Sequence, residues 1–363
     1  MSTPEDPDAR GGGVLGSLEE HLLGEAPRLT QAEVAERAGV SVETANELWH
    51  LLGFAQVPDD VAAFGEADVQ ALRLSNDLVE LGVLSRERQD SLVRTWGRSF
   101  ARLADWQVAL LAEVAIESGA DPTEGLLAIS GVVMPKVEEL QAYVWRRHLL
   151  SAGARRLAGT ASGPTTALAV CFVDIVGYTA RSRTLTDREL VAWLESFESA
   201  VLALSVDRGA RIIKNIGDEL LIVADSPAAL AEIALELTRR GADPDDPFPE
   251  VRAGLAYGEV VTRLGDVFGP TVNIAARLTS IARPGSVLVD EGVHDALGGA
   301  RSRRSREDDD AADPSDDDHG ADGGPVEDHD AGDPSSTYRM RRLRRVHVKG
   351  YSRLAAWALQ PRG

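Results

Sequence analysis

Two hydrophobic periods divide the chain. From Leu15 to Leu150 apolar residues recur at helical spacing, with few β-branched runs. "LTQAEVAERAGVSVETANELWHLLGF" (29–54) predicts two short helices, with Thr30 and Ser41 as N-caps and Gly39 as the stop between them. "EADVQALRLSNDLVELG" predicts a third helix, and "SRERQDSLVRTWGRSFARLADWQVALLAEVAIESG" a long amphipathic one. "PTEGLLAISGVVMPKVEELQAYVWRRHLLSAGARRLA" adds one or two more, running toward residue 158. Residues 1–13 are Pro/Gly/Asp-rich and expected to be disordered. The expectation is an all-α domain over 14–158.

At "GTASGPTT" (159–166) small residues form a linker, and the period changes. "ALAVCFVDIVGYT" reads as a buried strand ending in a turn, and "TDRELVAWLESFESAVLALSVDRG" as a helix. Strand, tight turn and strand follow around "KNIGDEL" (214–220), then a helix over 226–240. "VRAGLAYGEVVTRLG" predicts a strand pair, "TVNIAARLTSIA" a helix, and "GSVLVDEGVHDAL" a strand and short helix. "RRVHVKGYSRLAAWAL" reads as a final pair of strands. The order β-α-β-β-α-β-β-α-β predicts an α+β domain over 167–363, its helices packed on one face of the sheet.

A length of 363 residues accommodates two such domains. The one cysteine, Cys171, excludes an internal disulfide or a Cys-rich metal site and suits a reducing compartment. Met1–Gly13 is polar and acidic, unlike a signal peptide, and no apolar run reaches the roughly 18–20 residues that span a bilayer. A cytoplasmic protein without membrane insertion is the expectation. The net charge of −20 is uneven. Residues 1–150 carry 12 Lys+Arg against 25 Asp+Glu. Residues 307–333 carry 13 acidic side chains and no basic one, leaving the rest mildly basic, as suits a polyphosphate ligand. That acidic stretch, within about 301–337, has too few apolar residues to offset its ordering entropy and reads as a disordered insertion. It lacks the carboxylate spacing of a calcium loop.

Several residues carry candidate chemistry. Asp174 ends the first strand and Asp218 sits at the hairpin tip. If those strands are neighbours, two carboxylates share one edge, the donor set that holds Mg²⁺ together with substrate phosphates. The turn Ile175–Thr179 offers backbone N–H groups to a phosphate chain. Asn273 and Arg277 lie four apart, on one helix face. Taken singly, each has an ordinary structural reading: a solvated turn, a helix-start acid, a polar surface.

Together they resemble one family. "FVDIVGYT", "IIKNIGDELL", "GDVFGPTVNIAARL" and "VHVKGY" occur in the order and near-spacing of the class III nucleotidyl cyclases, over about residues 166–363 apart from the acidic insertion. The resemblance implies a ferredoxin-like palm, conversion of ATP to cyclic AMP or GTP to cyclic GMP, and head-to-tail dimers with interfacial sites. It implies two divalent ions, Mg²⁺ or Mn²⁺, at Asp174, Asp218 and Ile175. Lys214 and Asp266 match the base-reading pair, Asn273 and Arg277 the ribose-positioning and transition-state residues, and Lys349 the lysine at the terminal phosphates. Adenine offers an acceptor at N1 and a donor at N6, matching a lysine that donates and an aspartate that accepts. Guanine reverses both demands, so ATP is the expected substrate. With all these positions in one chain, a homodimer is expected. The first half is similar to the helical regulatory domains ahead of some actinobacterial cyclases. Two features depart from the family: Pro270 follows the glycine where a small polar residue is common, and the acidic insertion precedes Lys349.

The alternative is a helix-turn-helix DNA-binding regulator with a degenerate nucleotide-sensing domain. Its second helix, starting "SVETANE", has no Arg or Lys, and the domain is acidic, opposite to what phosphate binding needs. No nucleic acid partner is expected. His148, beside Arg146 and Arg147, is a candidate pH reporter or a solvated helix end. His21, His50, His294 and His347 show no metal spacing.

Overall fold

Thr30 and Ser41 each close the first turn of a helix. Thr30 Oγ1 accepts from the Glu33 N–H, and the Glu33 carboxylate accepts from the Thr30 N–H at 2.7 Å, a reciprocal cap that starts α1 (Gln31–Ala38). Ser41 Oγ accepts from the Thr44 N–H and starts α2 (Val42–Leu52). Gly39 (φ 73°) stops the first helix in the left-handed region that glycine tolerates. With α3 (Glu66–Glu80) they enclose a small core of Leu29, Val34, Ala45, Trp49, Val69 and Leu72, over which Phe64 stacks on Trp49 with ring centroids 4.4 Å apart. Two long helices follow, α4 (Arg86–Glu117) and α5 (Pro122–Leu157). The last segment is thus one helix, with Pro135 inside it.

The computed structural model describes residues 16, 18–82, 85–117, 119, 122–157, 165–298, 337–343 and 354–362. The chain divides into two compact units, 1–153 and 154–363.

The second unit is built on β1 (Thr165–Ile175). After it come α6 (Tyr178–Ser182), α7 (Asp187–Asp207), the hairpin β2 (Arg211–Ile216) and β3 (Glu219–Ala224), and α8 (Pro227–Gly241). Then come β4 (Val251–Arg263), β5 (Asp266–Phe268), α9 (Pro270–Ile281), β6 (Val287–Val289), α10 (Glu291–Ala296), β7 (Tyr338–Arg342) and β8 (Trp357–Pro361). The sheet order is β2-β3-β1-β4-β6-β8-β7, with β5 paired to β4; only β4–β6 is parallel. The architecture is α+β, preceded by an all-α unit.

Both faces of this sheet are covered, which corrects the one-face expectation. Ala169, Cys171 and Val173 join Phe197 of α7 and Leu230, Ile233 and Leu237 of α8 in one cluster. Leu168, Val170 and Phe172, alternate residues of the same strand, join Ala275 of α9 in another. The unbroken apolar run of β1 follows from burial on both sides. Gly254 admits α9 to that second face: a Cβ there would lie 2.3 Å from the Thr279 nitrogen and 2.5 Å from the Ala275 oxygen.

Two further expectations shift. The predicted strand pair over 251–265 is one 13-residue strand, turned by Leu264 (φ 52°) and Gly265 (φ 80°) onto three residues of β5. Two positive φ values in a two-residue loop match the right-handed twist of a hairpin, and here a leucine adopts one of them. The final pair comprises β7 and β8, and β7 begins at Tyr338, upstream of where the sequence suggested. The "VHVKGY" stretch with His347 and Lys349 lies outside the described residues, as do residues 1–13 and nearly all of the acidic insertion.

Candidate active site

The edge where β1 ends gathers charge. Asp174 faces Glu219 on β3 and Arg252 on β4. Its Oδ2 accepts from Arg252 Nε and Nη2, each at 2.7 Å, and the carboxylate is 14% exposed. Asp218 occupies the two-residue turn between β2 and β3, beside Gly217 (φ 66°). Its carbonyl accepts from the Ile175 N–H at 3.3 Å, tying the hairpin tip to the end of β1. The two aspartates predicted from sequence therefore come together. Ile175 has its side chain in the core, so only its main chain can serve a ligand. The turn after it offers fewer free amides than expected, because Ile175 N–H is bound to Asp218 and Val176 N–H donates to the Glu250 carbonyl at 2.9 Å.

Crowding of carboxylates shows in their protonation. Burial, then the nearby Asp174 charge, pushes the Asp218 carboxyl above its ordinary range, with Arg252 opposing. Glu219 is pushed from 4.5 to about 7 by burial first, then by Asp174 and Asp218. A divalent cation would relieve that repulsion. Among the described residues no three His, Cys, Asp or Glu side chains form a complete metal cage. Asp174 and Asp218 with substrate phosphate oxygens do fit Mg²⁺, which seldom uses an all-protein cage. Sequence reasoning missed Glu219 and Arg252. Glu219 adjoins Asp218 and was in plain view; Arg252 is 78 residues from Asp174, and only strand register brings it there.

A second group forms on β2 and β5. A bulge between Ile212 and Lys214 interrupts the β2–β3 ladder, and Lys214 is paired opposite Leu221, whose side chain lies on the α9 face. Lys214 Nζ reaches Asp266 Oδ2 at 2.5 Å, both side chains half-buried. Asp266 Oδ1 accepts from the Val267 N–H at 2.8 Å, and the Lys214 ammonium lies 5.8 Å from the Phe268 ring centroid. The pair is thus fixed from two sides.

The third group is on α9. Pro270 takes the first helical position, where its missing N–H costs nothing, and Thr271 Oγ1 donates to the Glu259 carbonyl at 2.8 Å. Asn273 is exposed and Arg277 half-buried one turn later. Arg277 has no ion-pair partner among the described residues. The pleat sets Asp174 and Arg252 on the face that α9 covers, and Arg252 Nη1 donates to the Ser280 carbonyl at the end of that helix. The structure joins Asp174 with Asp218, and Lys214 with Asp266, as separate groups.

Known proteins resemble this chain over most of its length. The family described as adenylate and guanylate cyclase catalytic domain matches residues 161–311. A protein named adenylate cyclase from Streptomyces coelicolor is 41% identical over 285 residues, which is 77% of this chain and 74% of that protein. One of the same name from Glutamicibacter nicotianae is 38% identical over 297 residues, covering 76% and 73%. A pH-sensitive adenylate cyclase from Mycobacterium tuberculosis is 31% identical over 295 residues, covering 77% and 73%.

Proposed function

The chain belongs to the class III adenylate and guanylate cyclases, and from that premise we propose that it is an adenylate cyclase, forming cyclic AMP and pyrophosphate from ATP. The observation that carries the choice of substrate is the Lys214–Asp266 pair at 2.5 Å. Lys214 has only donors and ionised Asp266 only acceptors, so between them they satisfy N1 and N6 of adenine. Guanine would leave two polar groups mismatched in a half-buried site, which discriminates strongly.

Asp174, Asp218 and the Ile175 main chain would hold two divalent ions, Mg²⁺ or Mn²⁺, with the substrate phosphates. Bound there, such ions would supply activation of the 3′-hydroxyl and neutralisation of charge on the leaving pyrophosphate. The 3′-oxygen attacks the α-phosphorus, the bond to the β-phosphate oxygen breaks, and the hydroxyl proton leaves to solvent or phosphate. No side chain stands out as general base. Asn273 positions the ribose. Arg277 stabilises charge developing on the phosphorus oxygens. Arg252 is the cation nearest the metal carboxylates, placed to meet phosphate once Asp174 is otherwise engaged. Lys349 is assigned to the terminal phosphates by family resemblance alone.

Two copies would share each site, with Asp174 and Asp218 from one and Lys214, Asp266, Asn273 and Arg277 from the other. The absence of an ion-pair partner for Arg277 among its own chain's described residues supports this. The helical unit is assigned a regulatory role and the protein a cytoplasmic one; no described helix is long and apolar enough to cross a membrane. The DNA-binding alternative has local support in the α1–turn–α2 geometry, but α2 carries no Lys or Arg.

The test uses purified full-length chain, ATP, and Mg²⁺ or Mn²⁺. Wild type is expected to make cyclic AMP. Asp174→Ala and Arg277→Ala chains are each expected to be inactive, and their mixture to regain part of the activity through hybrid sites. Full activity in Asp174→Ala would remove the metal assignment. Failure to complement, with hybrid dimers shown to form, would remove the shared site.

A further inference from the structure

The β2–β3 hairpin tip carries two candidate residues at once. Lys214 and Asp218 lie four residues apart on it, and the proposed function assigns one to the base and the other to metal. A segment with that double duty needs its position held, yet the backbone holds it weakly. β2 is the outermost strand of the sheet, paired among the described residues with β3 alone. Its ladder is interrupted by the bulge between Ile212 and Lys214. Asn215, Ile216 and Gly217 are exposed, Ile216 at 47%, so little apolar burial anchors the tip. The main-chain link to β1, from the Ile175 N–H to the Asp218 carbonyl, is long at 3.3 Å.

Side chains supply what the ladder lacks. Past the bulge, Lys214 is opposite Leu221, which belongs to the cluster on the α9 side of the sheet. Asn215 is opposite Leu220, which belongs to the cluster on the α7 and α8 side. Successive residues of a strand point to opposite faces. Lys214 accordingly bonds to Asp266 of β5, while Asn215 turns to α7, where its Nδ2 donates to Glu198 Oε1 at 2.5 Å. A hydrogen bond to an ionised carboxylate is short and about twice as strong as a neutral one. Glu198 sits on a firm support. α7 runs for 21 residues, starts from a reciprocal cap at Thr186, and buries Phe197, the neighbour of Glu198, in the core. The end of β2 is thus clamped on both faces, by Lys214 on one and Asn215 on the other.

We propose that Asn215 and Glu198 are positioning residues, whose bond holds the hairpin tip so that Lys214 and Asp218 keep their places together. The inference rests on the cyclase reading. Neither residue is assigned a contact with substrate; each acts through the two that are.

The test exchanges donor and acceptor in the full-length chain. Asn215→Ala removes the donor and adds no charge. Asn215→Asp sets a carboxylate against Glu198, while Glu198→Gln keeps an acceptor for Asn215. The last two together restore one amide and one carboxylate with side-chain lengths unchanged. Three quantities are read on purified protein: Mn²⁺ affinity in the presence of 3′-deoxy-ATP, which lacks the attacking hydroxyl; KM and kcat for ATP; and the ratio of kcat/KM for ATP to that for GTP. Asn215→Ala is expected to weaken Mn²⁺ binding, raise KM and narrow the ATP preference, each by about tenfold, short of the roughly hundredfold that a misplacement of about 1 Å can cost. Asn215→Asp is expected to raise KM and narrow the ATP preference at least as far. Glu198→Gln is expected to stay close to wild type, and the double variant to recover most of what Asn215→Asp loses. Melting temperatures are expected to move little, because both side chains reach solvent. Values in Asn215→Ala and Asn215→Asp equal to those of an active wild type would overturn the inference. So would a double variant no better than Asn215→Asp, since the side chains would then matter and their bond would not. A fall in kcat alone, with Mn²⁺ affinity, KM and the ATP to GTP ratio unmoved, would mean a general loss of folded protein and overturn it too. A wild type that forms no cyclic AMP and binds no Mn²⁺ with 3′-deoxy-ATP would instead overturn the cyclase reading beneath it.

Discussion

The two units solve the burial of apolar surface in opposite ways. In the catalytic unit, β1 is covered on both faces, by α7 and α8 on one side and α9 on the other, and its core closes within one chain. Among the described residues of the helical unit, the buried apolar cluster lies within α1 to α3 and the segments beside them, while α4 and α5 expose Trp96, Phe100, Trp106, Leu140, Tyr143 and Trp145. A closed core fixes side chains to the tolerance that binding of a base or a phosphate needs. An open apolar helix instead gives a surface whose state depends on what covers it, which suits a part that modulates rather than catalyses. The residues proposed for chemistry accordingly all sit on the closed unit.

The sharpest way to break this comparison is to overfill one close approach in each unit. A Cβ on Gly254 would press on the backbone of α9 at 2.3 Å, and one on Gly97 would meet the Leu52 carbonyl oxygen at 2.3 Å. Each Ala substitution is expected to cost about 1–3 kcal/mol, because backbone must shift to admit the methyl. Gly254→Ala displaces the helix that carries Asn273 and Arg277, so cyclic AMP formation should fall steeply along with the melting temperature. Gly97→Ala should lower the melting of the helical unit and leave the catalytic unit's transition in place. One shared transition shifted equally by both variants would show that the units do not melt separately.

How far each unit was legible in the sequence follows the same division. The caps of α1 and α2 were readable because Thr30, Ser41 and Gly39 act within one turn of the chain. The end of β1 and the Asp218 turn were readable because a strand and a tight hairpin are local objects. Coverage of both sheet faces was not, since α9 reaches its face through Gly254, a residue whose meaning appears only once Thr279 lies against it. Arg252 was hidden for the same reason: antiparallel register, not proximity in sequence, puts it on Asp174. Lys214 and Asp266, 52 residues apart, were paired only by family resemblance, and the contact at 2.5 Å is independent of that resemblance.

A smaller effect is expected from removing the open unit. A chain starting at residue 159 should differ from the full chain several-fold in turnover, more in the upward direction, if the helical unit restrains the catalytic dimer. Equal cyclic AMP production by the two would reduce that unit to a scaffold.

The smallest effect is a slope with pH. Folding raises the Glu219 carboxyl from 4.5 to about 7 and the Asp290 carboxyl from 3.8 to about 6, burial being the first cause in both. A raised acid favours the folded state when protonated. The stability it contributes is full below the unfolded value and is lost as pH rises through the folded one. Without divalent ions, the melting temperature of the catalytic unit is expected to decline between about pH 5 and 7.5. Glu219→Gln should flatten that decline, and Mg²⁺ or Mn²⁺ should offset it most at the upper end. An equal slope in wild type and Glu219→Gln would show that Glu219 is not strained by its neighbours.

In the proposed function, substrate choice rests on Lys214 and Asp266. The direct measurement is kcat/KM for ATP and for GTP, in wild type and in a folded chain carrying Lys214→Glu and Asp266→Cys together. Wild type is expected to prefer ATP by orders of magnitude, because a site built to hydrogen-bond one base leaves the other's groups unpaired. The double variant is expected to lose most of its ATP activity and to bring GTP to parity or beyond. An ATP preference that survives the exchange intact would contradict the assignment of Lys214 and Asp266, and with it the reading of this site.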